Sequence, residues 1–118
     1  MDEALTIEIR HEQGYAIVTP AGEIDVSTVT GLRERLFDLA ATGQPLVADL
    51  DQVTFIDSAG LSALVGAANR AAAHGGSLNV VCARPKIRKL FRLTGLDRRL
   101  LPAPTLGEAL AAPDPQPR

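Results

Sequence analysis

The sequence predicts a single α/β domain with a mixed β-sheet of four to five strands and about four α-helices. Two alternating segments open the chain as a hairpin, and helical and strand-like apolar patterns then follow one another. The length of 118 residues suits one domain with its own core. Helices placed between strands imply parallel strand pairs joined by right-handed crossovers. The expected order is β β α β α β α (β) α.

Each predicted element follows from the spacing of its apolar residues. Alternation marks the opening strands, short apolar runs mark buried strands, and recurrence at helical spacing marks helices. In chain order, the predicted elements are strands LTIEIR (5–10) and YAIVT (15–19), a helix with Val29, Leu32, Leu36, Leu39 and Ala40 on one face, strand LVADL (46–50), a strand ending at Asp57, a helix that opens at Ser58 and ends at 74–76, strand SLNVVCA (77–83), helix 86–94, a short edge strand at 99–103 and helix TLGEALAA (105–112).

Proline, glycine and small polar residues mark the expected boundaries. The segment PAG (20–22) is expected to break or bend the chain after the second strand. Asp25 or Ser27 is a candidate cap for the first helix, and Gly43 follows its last turn. Pro85 is placed in the first turn of the third helix, where proline is tolerated.

Composition limits the possible functions. Residues 1–112 form the predicted domain, and PDPQPR (113–118) is expected to be a disordered tail. Aromatic residues make up 3% of the chain and its net charge is -2, which argues against a nucleic-acid partner. Cys82 is the only cysteine, so no internal disulfide is expected, and it is predicted to pack in a core strand. With no signal peptide or membrane-spanning run, we expect a cytoplasmic protein without a membrane partner.

The stretch FIDSAGL (55–61) raises the question of function, because it places Ser58 where a strand ends and a helix begins. In parallel α/β sheets, ligands and partners meet the loops at the carboxyl ends of strands. Four roles fit this position: a helix N-cap formed by Ser58 or Asp57, a nucleophile, part of a phosphate or metal site, and an acceptor of a phosphoryl group. From residue types alone, capping is the simplest of the four.

The enzyme alternatives lack the residues that they need. A hydrolase elbow requires G-x-S-x-G, of which only Gly60 is present, and His11 and His74 are expected to be surface residues. No phosphate-binding glycine motif occurs. We therefore expect no enzyme activity, no catalytic residue, no metal and no cofactor. Four aspartates that could suggest a magnesium cluster are more simply explained as solvated carboxylates at strand ends: Asp25, Asp49, Asp51 and Asp57.

Two motifs in combination resemble the STAS domains of bacterial anti-sigma factor antagonists. GEID (22–25) precedes one predicted helix, and the D-S-x-G-L motif at 57–61 opens the next. The resemblance covers about residues 5–112. It implies a single STAS-like domain in a regulatory protein that has no catalytic activity of its own.

The resemblance also implies a partner switch centred on one serine. In that family, the serine after the motif aspartate is phosphorylated by a cognate anti-sigma factor that is also a serine kinase. The unphosphorylated antagonist binds this kinase and frees the sigma factor, the phosphorylated form releases it, and a separate serine phosphatase resets the switch. Carried over, the phosphorylated residue is Ser58, and the partner-binding residues are Asp25, Asp57, Ser58, Ala59 and Gly60.

Three points stay open at the level of sequence. Many relatives carry a second hydroxyl where this chain has Ala59, so any kinase contact made by that hydroxyl would be missing. Helix 86–94 is basic, with Arg98 and Arg99 beyond it; a solvated face is the simpler interpretation, and contact with an acidic patch on a partner is the alternative. The rival function is a scaffold module of a stressosome-like, transport or signalling complex, and the intact D-S-x-G motif favours the sigma pathway.

Overall fold

A computed structural model describes residues 5–111, which fold into a five-stranded sheet and confirm the predicted mixed α/β class. The elements in chain order are β1 Leu5–Glu12, β2 Tyr15–Ile24, α1 Val29–Ala40, β3 Leu46–Asp49, β4 Val53–Ile56, α2 Ser58–Ala73, β5 Leu78–Val81, α3 Pro85–Leu93, a 3₁₀ helix Leu96–Arg98 and α4 Leu106–Ala111. None of the helices between residues 5 and 111 has the length and apolar character needed to cross a bilayer. The tail predicted at 113–118 lies outside the described residues.

The sheet has the strand order β1-β2-β3-β5, and β4 also pairs with β2. β1 and β2 form the predicted antiparallel hairpin, with Glu12 opposite Tyr15 at its turn. All other strand pairs are parallel. The strands that follow the hairpin therefore point their carboxyl ends toward one edge of the sheet, and α1 and α2 begin beyond that edge.

β3 and β4 are two parts of one path along the same side of β2, because β1 occupies the other side. Ala48 pairs with Val18, and Ile56 pairs with Ile24. The path thus advances from 48 to 56 while β2 advances only from 18 to 24. One of the two extra residues falls in the turn at 50–52, and the other is Thr54, where the register with Gly22 and Glu23 shifts. The turn separates β3 from β4. These strands correspond to the predicted strand 46–50 and the strand predicted to end at Asp57, although the expected order β β α β α β α (β) α has only one strand between the first two helices.

Apolar side chains form a core on each face of the sheet. The larger core packs α1, α2 and α3 against one face, and the predicted face of α1 is buried apart from Leu39, which is half-buried. The smaller core lies beneath α4 on the other face and consists of Ile17, Val47, Val81 and Ala109. Because the central strands are covered on both faces, β2 and β3 are apolar at consecutive positions.

The segment PAG, predicted to break or bend the chain, does not end the second strand. β2 continues through Pro20 to Ile24, and the irregularity falls at Gly22, which has a φ of 118° and lies where the register with β4 shifts. Pro20 is tolerated because the pairing with β3 stops at Val18 and the pairing with β4 starts at Gly22.

Residues 99–103 do not form the predicted edge strand. Ala103 joins the sheet through an isolated bridge to Val81, and the residues before it follow a 3₁₀ helix. The Arg88 guanidinium fixes this segment, because its Nη1 donates to the carbonyl oxygens of Cys82 and Pro102, each over 2.9 Å. Cys82 is buried directly after β5, as predicted for a core residue, and this burial raises the pKa of its thiol.

Candidate functional site

β2 and β4 end side by side, and each is followed by an aspartate. The Asp57 N–H donates to the Ile24 carbonyl oxygen over 3.1 Å, which joins the two strand ends. Asp25 follows β2 and Asp57 follows β4, so both aspartates leave the sheet at the same edge. We call residues 23–25 and 57–60 the Ser58 edge. GEID and the D-S-x-G-L motif therefore lie at the ends of neighbouring parallel strands.

Asp57 is the N-cap of α2. Its backbone is extended, with φ -108° and ψ -172°, and its Oδ1 accepts hydrogen bonds from the Ala59 N–H at 2.9 Å and the Gly60 N–H at 3.1 Å. These bonds satisfy two of the donors that the start of a helix leaves unpaired. Of the two candidate caps, Asp57 and not Ser58 therefore closes the helix.

Ser58 is the first residue of α2, and its side chain is exposed to solvent. Because Asp57 supplies the cap, the Ser58 hydroxyl is not required for that task. The hydroxyl also lies at the positive end of the helix dipole, where a negative group is favoured by about 0.3–1 kcal/mol. The position is thus accessible from outside and electrostatically suited to an added anion.

Gly60 allows the first turn of α2 to press against the ends of β2 and β4. A Cβ at Gly60 would lie 2.6 Å from Cγ2 of Ile24 and 2.6 Å from Cγ1 of Ile56, well inside carbon–carbon contact distance. Gly60 is buried, and Ala59 is half-buried against the larger core. The absence of a side chain at Gly60 and the small side chain of Ala59 therefore allow the start of α2, with Ser58, to lie close to the sheet.

Asp25 organises the turn between β2 and α1. Its Oδ1 accepts hydrogen bonds from the Ser27 hydroxyl at 2.7 Å, the Ser27 N–H at 2.9 Å and the Thr28 N–H at 3.2 Å. The hydroxyl bond from Ser27, supported by the backbone bonds, outweighs desolvation and holds the pKa of the Asp25 carboxyl below its usual value. Asp25, rather than Ser27, is thus the acceptor at the start of α1, although Thr28 occupies the N-cap position.

A cleft of about 310 Å³ opens beside Ser58, between α2 and the segment after α3. Its wall combines hydroxyl and apolar groups from Ser58, Leu61, Ser62, Val65, Thr94 and Leu96. Sequence reasoning did not identify this cleft. Helical spacing could have indicated the part on α2, because Ser62 follows Ser58 by about one turn. The part after α3 depends on long-range packing that no local pattern records.

Two large apolar side chains are also exposed at or near the Ser58 edge. Val26, directly after Asp25, is 78% exposed, and Phe55 in β4 is 49% exposed. The short apolar run that ends at Asp57 predicts a buried strand here. The register shift between β2 and β4 instead leaves Thr54 and Phe55 both accessible.

Both histidines lie at the end of the molecule opposite Ser58. His11 is next to the hairpin turn, where its Nδ1 is 3.2 Å from Nε2 of Gln44, and His74 follows the last residue of α2. The 16 residues of that helix span about 24 Å, so neither histidine can serve Ser58 as a base. Between residues 5 and 111, no group of three His, Cys, Asp or Glu side chains is placed to hold a metal ion.

Comparison with known proteins identifies the family of this domain. A family model described as the STAS domain matches residues 6–109. The chain belongs to the STAS domain family. Within this family, it is 35% identical over 92 residues to the anti-sigma-B factor antagonist of Bacillus subtilis, which covers 78% of this chain and 84% of that protein. It is 30% identical over 109 residues to an anti-sigma-F factor antagonist of Mycobacterium tuberculosis, covering 92% and 88% respectively.

A solved STAS structure agrees with these relatives. The crystal structure of an anti-sigma factor antagonist from Mycobacterium paratuberculosis superposes with a TM-score of 0.83 at 33% identity, covering 91% of this chain and 92% of that one. The predicted resemblance to STAS-domain anti-sigma factor antagonists is therefore confirmed. The matched region contains the whole Ser58 edge and the cleft beside it.

Proposed function

We propose that this STAS domain is an anti-sigma factor antagonist whose binding is switched by phosphorylation of Ser58. In the unphosphorylated state it binds an anti-sigma factor that is also a serine kinase, and the sigma factor is thereby freed. The kinase transfers the γ-phosphoryl group of ATP to the Ser58 oxygen, while ADP leaves and the hydroxyl proton passes to a base on the kinase. The phosphorylated domain releases the kinase, and a serine phosphatase restores Ser58 by hydrolysis.

The observation that supports this proposal most directly is the division of labour between Asp57 and Ser58. Asp57 holds the start of α2 through its two N–H hydrogen bonds, and Ser58 presents its hydroxyl to solvent on that fixed turn. A kinase needs an accessible acceptor held in a reproducible position. The geometry meets both needs without using the acceptor for the stability of the fold.

Charge explains how the switch would act on binding. A phosphate on Ser58 adds about −1.5 to −2 charges at neutral pH. The helix dipole favours that charge within the domain, whereas carboxylates of Glu23, Asp25 and Asp57 already lie at the same edge. A partner surface that suits this acidic edge and a neutral hydroxyl would lose affinity through repulsion and desolvation.

The partner performs the chemistry in this proposal. The STAS family to which the chain belongs is one of binding regulators, and neither histidine can reach Ser58. Purified protein should therefore leave ATP and ester substrates at background rates. Ester hydrolysis by the wild type that is lost in Ser58→Ala would contradict the proposed switch and indicate that the protein is a hydrolase.

The first experiment incubates the purified chain with candidate anti-sigma factors and ATP and maps the phosphate by mass spectrometry. Ser62 provides a matched control, because it is exposed, lies on α2 and lines the same cleft as Ser58. We expect phosphate on Ser58, none in Ser58→Ala and an unchanged level in Ser62→Ala. Phosphate found on Ser62 or elsewhere in the wild type would contradict the proposed acceptor.

The second experiment measures affinity for the kinase that modifies Ser58. Calorimetry should give tight binding for the wild type and Ser58→Ala, weaker binding for Ser58→Asp, and the weakest binding for the phosphorylated protein. Aspartate carries less charge than phosphoserine, so its effect should be partial. Ser62→Asp adds the same charge about one turn away and should weaken binding less than Ser58→Asp. Equal affinity for the wild type, Ser58→Asp and the phosphorylated form would reduce Ser58 to a structural residue.

A further inference from the structure

Positive charge is concentrated in one short segment of an otherwise acidic molecule. The chain has 12 lysines and arginines and a net charge of -2. Seven of these cations lie within residues 84–99, which contain a single acidic residue, Asp97. The two ion pairs found among residues 5–111 both involve Arg10, far from this segment. The basic segment is therefore not neutralised by ion pairs within the described part of the fold.

Three of the seven cations have tasks inside the domain. Arg88 donates to two carbonyl oxygens at 2.9 Å, Arg84 Nε donates to the Asp51 carbonyl oxygen at 2.8 Å, and Arg99 donates to the Asn69 side chain. The remaining four have exposed side chains. We call these four the basic face: Lys86, Lys89, Arg92 and Arg98.

Helix stability does not account for the basic face. Lysine and arginine stabilise a helix near its C-terminus, which suits Arg92 in the last turn of α3. Lys86 is the second residue of the same helix, where the dipole disfavours a cation. The first turn contains no acidic residue that would compensate. The cations on α3 therefore repel one another, and Lys86 opposes the dipole, so the basic face as a whole does not serve the stability of this helix.

The end of α3, which carries Arg92 of the basic face, adjoins the Ser58 edge through the cleft. Thr94 and Leu96, which follow α3, line the cleft together with Ser58. A protein docked over the cleft would contact the end of α3 as well as Ser58, and there Leu93 is 71% exposed beside Arg92. Glu23, Asp25 and Asp57 thus lie at the Ser58 edge on one side of the cleft, and Arg92 and Arg98 lie within two residues of its lining on the other side.

We infer that the basic face binds an acidic segment of the same anti-sigma factor that phosphorylates Ser58, and that it steers this partner into position. The inference rests on the proposed function. An extended anionic surface is a poorer match, because the rest of the chain is acidic and would be repelled by a bilayer or a duplex. The apolar side chains Ile87 and Phe91 of α3 are buried in the core, so the helix cannot insert into lipid.

The test compares two charge reversals of equal size. Lys89→Glu with Arg92→Glu changes the basic face. Arg33→Glu with Arg35→Glu changes two cations of α1, a helix that does not line the cleft, and neither arginine has an ion pair among residues 5–111. Association rates with the kinase that modifies Ser58 are measured over a range of salt concentrations. The first double variant should associate about tenfold or more slowly at low salt, since steering by charge contributes factors of this size.

The difference should fade at about 1 M salt, where the screening length falls to about 3 Å. The control double variant should change the rate much less, and Lys89→Arg with Arg92→Lys should retain the wild-type rate. Thermal melts establish that each variant is folded, which we expect because Lys89, Arg92 and Arg35 are exposed and Arg33 is half-buried.

The inference would be overturned if the two charge reversals changed the association rate equally, or if neither changed it. It would also be overturned if the wild type bound phosphatidylglycerol vesicles and the first reversal abolished that binding. Failure of the proposed function is recognised separately, because wild-type Ser58 would then remain unmodified by every candidate kinase. In that outcome the inference is rejected together with the proposed function. Retained Ser58 phosphorylation with salt-independent association would reject the basic face alone.

Discussion

Enlarging Gly60 should destabilise the domain by crowding α2 against the sheet. The variant Gly60→Ala places a Cβ 2.6 Å from atoms of both Ile24 and Ile56, so the helix or the isoleucines must move. Overpacking of this kind costs about 1–3 kcal/mol, while replacing glycine by alanine in a helix returns about 1 kcal/mol. The expected net loss of unfolding free energy is therefore about 0–2 kcal/mol.

Gly31 supplies a matched control. It is the third residue of α1, as Gly60 is the third residue of α2, and a Cβ at Gly31 would meet nothing within 4 Å. The variant Gly31→Ala should be stabilised by up to about 1 kcal/mol. Both variants gain the same helix propensity from alanine, so the difference between their unfolding free energies gives the packing cost at Gly60, about 1–3 kcal/mol.

Urea unfolding and thermal melts measure this difference. For a domain of this size it corresponds to a separation of about 4–12 °C in Tm, taking about 4 °C for each kcal/mol. The displaced helix start should also slow phosphorylation of Ser58 in Gly60→Ala and leave it unchanged in Gly31→Ala. Equal stability of the two alanine variants would refute the reasoning, because it would show that the space at Gly60 does not limit the approach of α2.

Three further predictions concern the cap, the acidic turn and the buried thiol. Asp57→Ala should lose about 0.5–2 kcal/mol of stability because the helix cap is removed, whereas Ser58→Ala should stay within about 0.5 kcal/mol of the wild type. Urea unfolding measures both values, and equal losses would contradict the assignment of the cap to Asp57. The pKa of the Asp25 carboxyl is lower in the folded than in the unfolded protein, so its carboxylate stabilises the fold at pH values above the unfolded-state pKa. This stabilisation is lost as the pH falls through the folded-state pKa. NMR titration should show that the pKa of Asp25 rises in Ser27→Ala. Cys82 is buried and the pKa of its thiol is raised, so a thiol reagent should label it only as fast as the domain transiently unfolds around it. Rapid labelling of the native protein would contradict the buried position.

Local patterns were sufficient for the elements that depend on a single periodicity. The face of α1, the start of α2 at Ser58 and the first-turn position of Pro85 follow from apolar spacing and capping chemistry, and the structure contains all three. These features need no knowledge of how distant segments meet.

Features that depend on strand register could not be predicted in the same way. Pro20 ends a strand by local rules, yet β2 continues because the pairing partner on one side changes from β3 to β4 around it. The register shift between β2 and β4 leaves Phe55 exposed, and the turn at 50–52 separates β4 from β3. The choice of Asp57 over Ser58 as the cap is likewise a matter of geometry, since both residue types are favoured at that position.

The cap on α2 has a consequence for how long a signal could persist in the cell. Since Asp57 secures the helix whichever group Ser58 bears, a domain modified at Ser58 as proposed keeps the same folded structure and should be degraded no faster than the unmodified one. The cellular pool of the protein would then stay constant while its two forms exchange. The duration of a response would be set by the competing rates of kinase and phosphatase, and not by synthesis and proteolysis of the antagonist.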